Sequence, residues 1–329
     1  MPTSLLPTTS YLLSKKNLLA FSGGIDSSAL FFMLLEKGIS FDIAIVDYGI
    51  REQSKEEISY AKELAHRYNL KCYTAKAPKF ESHFEQNARE FRYRFFEDIV
   101  SKYGYDNLLT AHQLNDQLEW LLMRLGKGSG VSELIGLEPI SQKDGYTLVR
   151  PLLGYTKDEL LEYLQQNNHR YFVDQSNSDQ KYERNRFRHN FSDPLIRQYA
   201  SGIKKSFEYL RADKEILEDM FEILFREQKL YIIKLHNTKL KAKAVDMALK
   251  RLGYLMTSAQ RAEIEKENSL VIGGKWAVEY QENLLYIATY CTTKMPKEFK
   301  EQCRINKIPP KIRGYIFKNN IPLPLTHKT

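Results

Sequence analysis

The chain has 329 residues, 43% hydrophobic and 27% charged, a composition that suits two globular domains and excludes disordered and fibrous classes. Residues 1–150 carry 18 basic and 19 acidic side chains, whereas residues 151–329 carry 31 and 22, so a polyanion-binding second half and a merely lysine-rich surface are both open. No apolar run reaches the ~18 residues of a membrane span, and no signal-peptide pattern opens the chain, which predicts a protein without membrane contact.

The first half of the chain alternates apolar strand patterns with helix-period segments. Strands are predicted at residues 17–21, 43–47, 70–74 and 107–110, and helices at 28–37, 54–68, 85–103 and about 115–125. Ser54 is the predicted N-cap of the second of these helices, with Glu57 at its capping-box position. The alternation predicts an α/β fold with a doubly wound, mostly parallel sheet, which binds ligands beyond the carboxyl ends of its strands.

The rest of the chain predicts a linking helix and a smaller mixed α/β domain. A strand and turn are expected at 148–153, a helix capped by Thr156 and Glu159 at 156–166, and helical segments from 193 to 227. The later elements are a strand at 231–235, helices at 239–252 and 258–266, a hairpin over 269–287 and an irregular tail of ~40 residues. We therefore expect a larger α/β domain over 1–200, a linking helix over 201–230 and a small basic domain over 231–329.

A glycine- and serine-rich loop joins the first predicted strand to the first helix. This phosphate loop consists of Ser22, Gly23, Gly24, Ile25, Asp26, Ser27 and Ser28. Its glycines permit close backbone approach and its helix N-terminus attracts an anion, while Asp26 suits a phosphate site only if Mg²⁺ lies between the two. The alternative is an ordinary glycine turn with a helix cap. Neither a Walker A loop nor G-x-G-x-x-G is present, which excludes γ-phosphate transfer and dinucleotide redox chemistry.

Three polar residues follow the fourth predicted strand at helical spacing. His112, Asp116 and Glu119 lie at i, i+4 and i+7, which predicts one shared helix face at the edge of the sheet that carries the phosphate loop. Two carboxylates and a histidine there could hold Mg²⁺, or pair with an ammonium group and manage a proton. The alternative is a solvated polar helix face.

Two groups of arginines are candidate phosphate contacts. Arg89 and Arg92 could meet phosphate or pair with acidic neighbours on their own helix. Arg184, Arg186 and Arg188 alternate with other residues in a polar stretch, which suits contacts to a nucleic-acid backbone but also an ordinary charged loop.

Ser22–Ser27 resembles the PP-loop of the N-type ATP pyrophosphatases, which split ATP between the α and β phosphates and adenylate a second substrate. Between residues 18 and 190, further segments resemble the tRNA(Ile)-lysidine synthetase family in particular: Val46–Arg51, Glu85–Phe96, Ala111–Glu119, Arg124–Gly130, Arg150–Leu153 and Asp174–Arg188. The chain departs from that family's usual residues at Tyr48, Gln113, Trp120 and Lys127. Looser matches occur at Thr257–Gln260, Gly273–Lys275 and Ile308–Arg313. The resemblance implies that residues 1–200 form the PP-loop catalytic domain and that residues 231–329 form a tRNA-binding domain with a shortened C-terminal tail.

The resemblance implies ATP-dependent ligation of lysine to C2 of the wobble cytidine of a CAU-anticodon isoleucine tRNA, through an adenylated cytidine, with release of AMP and pyrophosphate. ATP, Mg²⁺, tRNA(Ile) and free L-lysine are the implied cofactors and partners, and a homodimer stays open. The implied roles are catalysis for Asp26, His112, Asp116 and Glu119, ATP binding for Ser22–Ser28, metal binding for Asp26 and Asp116, and tRNA or phosphate contact for Arg89, Arg92, Lys127, Arg184, Arg186 and Arg188.

Three other functions stay open. A PP-loop tRNA thiolase would use cysteines near the site, yet only Cys72 lies in the first expected domain, whereas Cys291 and Cys303 lie far along the chain. A small-molecule amide synthetase fits the basic second half poorly, and the chain has no glutaminase segment. An ATP-binding signalling module would not need His112, Asp116 and Glu119 on one face. The widely spaced cysteines form neither a zinc site nor a disulfide framework, which predicts a cytoplasmic protein.

Overall fold

The structure, a computed structural model, describes residues 8–49, 53–80, 82, 84–173 and 183–323. The chain divides into two compact units, Met1–Arg211 (unit 1) and Ala212–Thr329 (unit 2). No helix among these described residues is long and apolar enough to cross a membrane.

Unit 1 is built from alternating strands and helices. Its strands are β1 (Asn17–Ala20), β2 (Phe41–Asp47), β3 (Cys72–Lys76), β4 (Asn107–Leu109), β5 (Ile140–Lys143) and β6 (Tyr146–Val149). Its helices are α1 (Thr9–Leu12), α2 (Ile25–Glu36), α3 (Gln53–Arg67), α4 (Phe84–Tyr103), α5 (Leu114–Leu125), α6 (Val131–Leu134), α7 (Lys157–Gln166) and α8 (Glu183–Phe187). Helix α9 (Asp193–Glu218) begins in unit 1 and ends in unit 2. A π-helical turn, Arg188–Ser192, joins α8 to α9.

The sheet of unit 1 has the strand order β3-β2-β1-β4-β6-β5, parallel except for the edge strand β5. Leu19 lies on the face of the sheet that packs with α2, α3 and α7, and its neighbour Leu18 lies on the face that packs with α4. Burial on both faces explains the continuous apolar runs and confirms the predicted doubly wound sheet. From β1 the chain adds β2 and β3 on one side of the sheet, and then it adds β4, β6 and β5 on the other side. The carboxyl ends of β1 and β4 therefore border the crevice in which such sheets bind ligands.

Unit 2 contains an antiparallel sheet of order β7-β8-β11-β10-β9, formed by β7 (Phe221–Glu227), β8 (Leu230–Leu235), β9 (Ser269–Ile272), β10 (Trp276–Gln281) and β11 (Leu284–Thr289). Four helices pack with it: α10 (Lys241–Arg251), α11 (Ser258–Lys266), α12 (Lys297–Ile305) and α13 (Pro310–Lys318). Residues from α10 and α11 cover one face of the sheet, whereas residues from α12 and α13 cover the other. These elements confirm the expected mixed α/β class of the second half.

Several local expectations are wrong. The tail expected to be irregular forms α12, which buries Cys303, and α13, on which Ile312 and Ile316 lie four residues apart and are both buried. Residues 221–227, expected to be helical, form strand β7. Ser54 is not an N-cap but lies inside α3.

Candidate active site

The phosphate loop follows β1 and opens α2. Gly23 has a positive φ of 77°, and Gly24 is the N-cap, which offers no side-chain oxygen to the first-turn N–H groups of the helix. The Ser22 and Ser27 hydroxyls lie 3.0 Å apart, and the Ser27 hydroxyl also donates to the Gly24 carbonyl at 3.3 Å. These bonds close the loop into a turn whose helix N-terminus is a ready site for an anion.

A distant segment supports this loop. The backbone N–H of Phe172 donates to the Gly23 carbonyl at 2.9 Å, and Phe172 forms a parallel bridge with Gly24. The guanidinium of Arg170 lies 4.8 Å from the Phe172 ring centroid, and the Arg170 carbonyl accepts the Tyr60 hydroxyl at 2.8 Å. No motif marks these residues as part of the site, since their role depends on a pairing formed only in the fold.

Asp26 carries a carboxylate oxygen that accepts no hydrogen bond from the described residues. Its Oδ1 is buried and has no hydrogen-bond partner among the described residues. Burial and the charge of Asp116 raise the pKa of Asp26 to about 7, against the opposing charges of Lys157 and Arg188. A buried carboxylate oxygen without a donor fits a cation. No group of three His, Cys, Asp or Glu side chains in the described part of the chain suits a metal ion, so Mg²⁺ here would take its other ligands from phosphates and water.

The expected common helix face of His112, Asp116 and Glu119 is wrong for His112. Helix α5 begins only at Leu114, because Gln113 is its N-cap and shares a capping box with Asp116. The Nδ1 atom of His112 lies 3.0 Å from the Thr110 hydroxyl. Burial lowers the pKa of His112 to about 4, and nearby arginines contribute to this shift. His112 is therefore neutral at pH 7.

Asp116 and Glu119 do lie together on α5, where they form an ion-pair cluster with Arg184 and Arg188. Arg184 donates to Asp116 Oδ1 at 3.0 Å and also to Glu119 Oε1. Arg188 donates to Asp116 Oδ1 at 3.3 Å and to Glu119 Oε2 at 3.0 Å. Each guanidinium group thus bridges both carboxylates.

Burial sets the electrostatics of this cluster. Glu119 is 2% exposed, and burial raises its pKa in spite of the two guanidinium groups. Burial alone would also raise the pKa of Asp116, but His112, Arg184, Arg188 and the N–H of Gln113 together hold that pKa below its ordinary value.

The other predicted phosphate contacts lie apart from the cluster. Lys127 pairs with Glu183 at 3.1 Å, and both side chains are exposed. Arg89 lies 5.1 Å from the Tyr93 ring centroid. Arg92 lies near Tyr48, whose hydroxyl donates to the Ala88 carbonyl at 3.4 Å. Arg186, on α8, is exposed. Within the motif segments, residues 50–51 and 174–182 lie outside the described residues.

Asn115 is a site residue that sequence reasoning misses. Its Nδ2 donates to Asp193 Oδ1 at 2.7 Å, and its Oδ1 accepts the backbone N–H of Lys157 at 3.2 Å. The backbone carbonyl of Asn115 accepts a hydrogen bond from the Ser192 hydroxyl at 2.9 Å. One buried amide therefore connects the N-terminal ends of α5, α7 and α9, and so positions Asp116 relative to Lys157, whose charge acts on Asp26.

Comparisons with known proteins agree with this geometry. A family model described as a PP-loop domain matches residues 6–195. The chain is 46% identical to the tRNA(Ile)-lysidine synthase of Wolinella succinogenes, over 93% of this chain and 94% of that protein. It is 44% identical to that of Campylobacter jejuni over 94% of each chain, and 39% identical to that of Helicobacter pylori over 95% and 92%.

Among solved structures, a U34-tRNA thiolase from Methanococcus maripaludis matches with a TM-score of 0.49 and 19% identity, over 65% of this chain and 78% of that one. This likeness is too weak to carry an argument about function. The sequence relatives are decisive because they are similar to this chain over nearly its whole length and theirs. The chain therefore belongs to the tRNA(Ile)-lysidine synthase family and carries its PP-loop domain.

Proposed function

We propose that this protein ligates L-lysine to C2 of the wobble cytidine in CAU-anticodon tRNA(Ile), at the expense of ATP. One observation carries the proposal: the phosphate loop, with its unpartnered Asp26 oxygen, and the carboxylates Asp116 and Glu119 follow the two strands that border one crevice. An anion site on the loop would thus adjoin an ammonium site on the carboxylates. The names of the relatives support the same reaction.

The phosphate loop would bind the phosphates of ATP. The N–H groups at the start of α2 and the hydroxyls of Ser22 and Ser27 provide donors, and Asp26 would hold Mg²⁺ against the phosphates. Bound Mg²⁺ supplies positive charge that stabilises pyrophosphate as a leaving group. Lys157 and Arg188 add positive charge near Asp26.

The reaction would proceed in two displacements. The C2 oxygen of the cytidine attacks the α phosphorus and pyrophosphate leaves, and then the ε-amine of lysine attacks C2 and AMP leaves. Asp116 and Glu119 would bind an ammonium group of lysine, while neutral His112 offers a ring nitrogen as a hydrogen-bond acceptor. The wobble base must leave its stack to reach this site.

Basic residues would hold the tRNA. Arg89, Arg92, Lys127 and Arg186 suit contacts with the tRNA backbone, and we assign further backbone contacts to the basic second half of the chain. Residues 1–200 would then carry the chemistry and residues 231–329 would bind the rest of the tRNA.

The test incubates the purified protein with ATP, Mg²⁺, radiolabelled lysine and unmodified CAU-anticodon tRNA(Ile). We expect label in acid-precipitable RNA, together with AMP and pyrophosphate. Asp26→Asn should abolish incorporation, whereas Asp98→Asn, which alters an exposed carboxylate on α4, should leave it unchanged. Pyrophosphate release without lysine in the RNA would contradict the proposal and point to another second substrate, such as the sulfur donor of a thiolase.

A further inference from the structure

Two arginines form ion pairs with Asp116 and Glu119, the carboxylates that we propose bind the ammonium group of lysine. The guanidinium groups of Arg184 and Arg188 each donate to both Asp116 and Glu119. The remaining oxygen, Oδ2 of Asp116, accepts the backbone N–H of Gln113 at 3.1 Å. Every carboxylate oxygen of the pair already accepts a hydrogen bond, so an ammonium group that binds there competes with the two guanidinium groups.

The two sides of the cluster differ in how firmly they are held. Glu119 is 2% exposed on the twelve-residue helix α5, and Asp116 is fixed by its capping box with Gln113. The Arg184 side chain is 44% exposed and belongs to the five-residue helix α8, which continues into the π-helical turn that begins at Arg188. π-Helical turns are frequent at functional sites. Arg184 can therefore move more easily than the carboxylates, and Arg188 lies on the same short segment, although its side chain is 15% exposed.

An anion on the phosphate loop would compete for the guanidinium group of Arg188. The loop follows β1, and α5, whose carboxylates Arg188 contacts, follows the neighbouring parallel strand β4. The charge of Arg188 also acts on Asp26, so phosphates bound on the loop would attract this guanidinium group. Guanidinium groups bind phosphate with bidentate hydrogen bonds as readily as they bind carboxylate. Nucleotide binding therefore offers the arginines a replacement partner.

We propose that Arg184 and Arg188 hold the place of lysine in the free protein, and that ATP binds before lysine because its phosphates draw a guanidinium group away from Asp116 and Glu119. This inference rests on the proposed function, since it takes ATP and lysine as the substrates. Its consequence is an ordered reaction in which the amine enters only a site that already holds nucleotide. Because coupling between two sites is reciprocal, lysine also tightens nucleotide binding by the same factor.

Isothermal titration calorimetry on the full chain tests this order. We expect a non-hydrolysable ATP analogue with Mg²⁺ to raise the lysine affinity about tenfold or more, within the roughly 5–150-fold range typical of coupled sites. Lysine should raise the affinity for the analogue by the same factor. In Arg184→Gln, lysine should bind without the analogue about as tightly as it binds the wild type with the analogue.

Two further variants complete the test. Arg188→Gln is the second variant in case Arg184→Gln fails to fold, which thermal unfolding will report. Arg197→Gln removes an exposed cation 4.0 Å from Asp158, outside the cluster, and should keep wild-type coupling.

The possible failures can be told apart. Equal lysine affinity with and without the analogue would overturn the ordered binding and leave the proposed function standing. Lysine binding to none of these proteins, with or without the analogue, would overturn both.

Discussion

Phe172 and Gly23 are 149 positions apart, yet the backbone N–H of Phe172 donates to the Gly23 carbonyl at 2.9 Å. A Cβ atom on residue 23 would lie 3.2 Å from the Phe172 ring. The phosphate loop is therefore shaped by the glycine's own positive φ and by a side chain that closes over it from another segment.

Gly23→Ala should weaken nucleotide binding about tenfold or more, because both the left-handed backbone and the Phe172 ring oppose a side chain there. Titration with an ATP analogue measures the loss. Gly38→Ala is the control, since Gly38 has a φ of 63° with no neighbour within 4 Å of the added Cβ. Both variants should lose about 1–2 kcal/mol of stability in urea unfolding, but only the first should lose affinity. Unchanged affinity in Gly23→Ala would contradict this account of the loop.

His112 should make an acid-sensitive contribution to stability. Its pKa is about 4 in the folded protein against 6.5 ordinarily, so between pH 6.5 and 4 this group binds more protons in the unfolded chain than in the folded chain. The contribution of His112 to stability should therefore fall as the pH falls through this range, by at most about 1.4 kcal/mol per pH unit, whereas Asp26, whose pKa is raised to about 7, contributes in the opposite sense. In urea unfolding, the stability of the wild type relative to His112→Gln should decrease as the pH falls, whereas its stability relative to His66→Gln, at an exposed position on α3, should stay constant. Parallel curves for all three proteins would refute the assignment.

Asn115→Leu should destabilise unit 1 and slow the reaction. The change leaves the N–H of Lys157 and the carboxylate of Asp193 without their amide partner. Both groups are partly buried, so each loss should cost about 1 kcal/mol, at the lower end of the roughly 1–3 kcal/mol of a buried unpaired group. We also expect kcat to fall by about tenfold or more, because Asp116 and Lys157 lose their common support. Urea unfolding and steady-state kinetics measure the two effects. Asn167→Leu, at an exposed asparagine in the same unit, should change neither, and a similar loss there would rule out a specific role for Asn115.

Strands that are buried on both faces could be predicted from the sequence, whereas the edge strands β5 and β7 could not. Leu18 and Leu19 are both buried, so β1 appears as an apolar run. Edge strand β5 is mostly exposed and polar, and β7 has an irregular register between Ile223 and Phe225, so neither shows a clear strand pattern.

The site was predictable only where it is local in sequence. The capping box of Thr156 with Glu159 follows from a spacing of three residues, and the structure confirms it. The ion pair of Arg184 with Glu119 joins residues 65 positions apart, so no local sequence pattern predicts it. His112 lies outside α5 because the side chain of Gln113 caps that helix. The i, i+4, i+7 spacing does not predict where the helix begins.

Gly314→Ala should destabilise unit 2, because α13 packs against the chain so closely that a Cβ on residue 314 would lie 2.1 Å from the Cys291 carbonyl oxygen. Such an overlap with backbone requires the helix to shift and typically costs about 1–3 kcal/mol or more. Gly202→Ala is the matched control, since its Cβ would meet nothing within 4 Å in α9, where alanine should stabilise the helix by about 0.5–1 kcal/mol. Calorimetric melting should therefore shift in opposite directions for the two variants. A Gly314→Ala protein with the melting temperature of the wild type would contradict this close packing of α13 against Cys291.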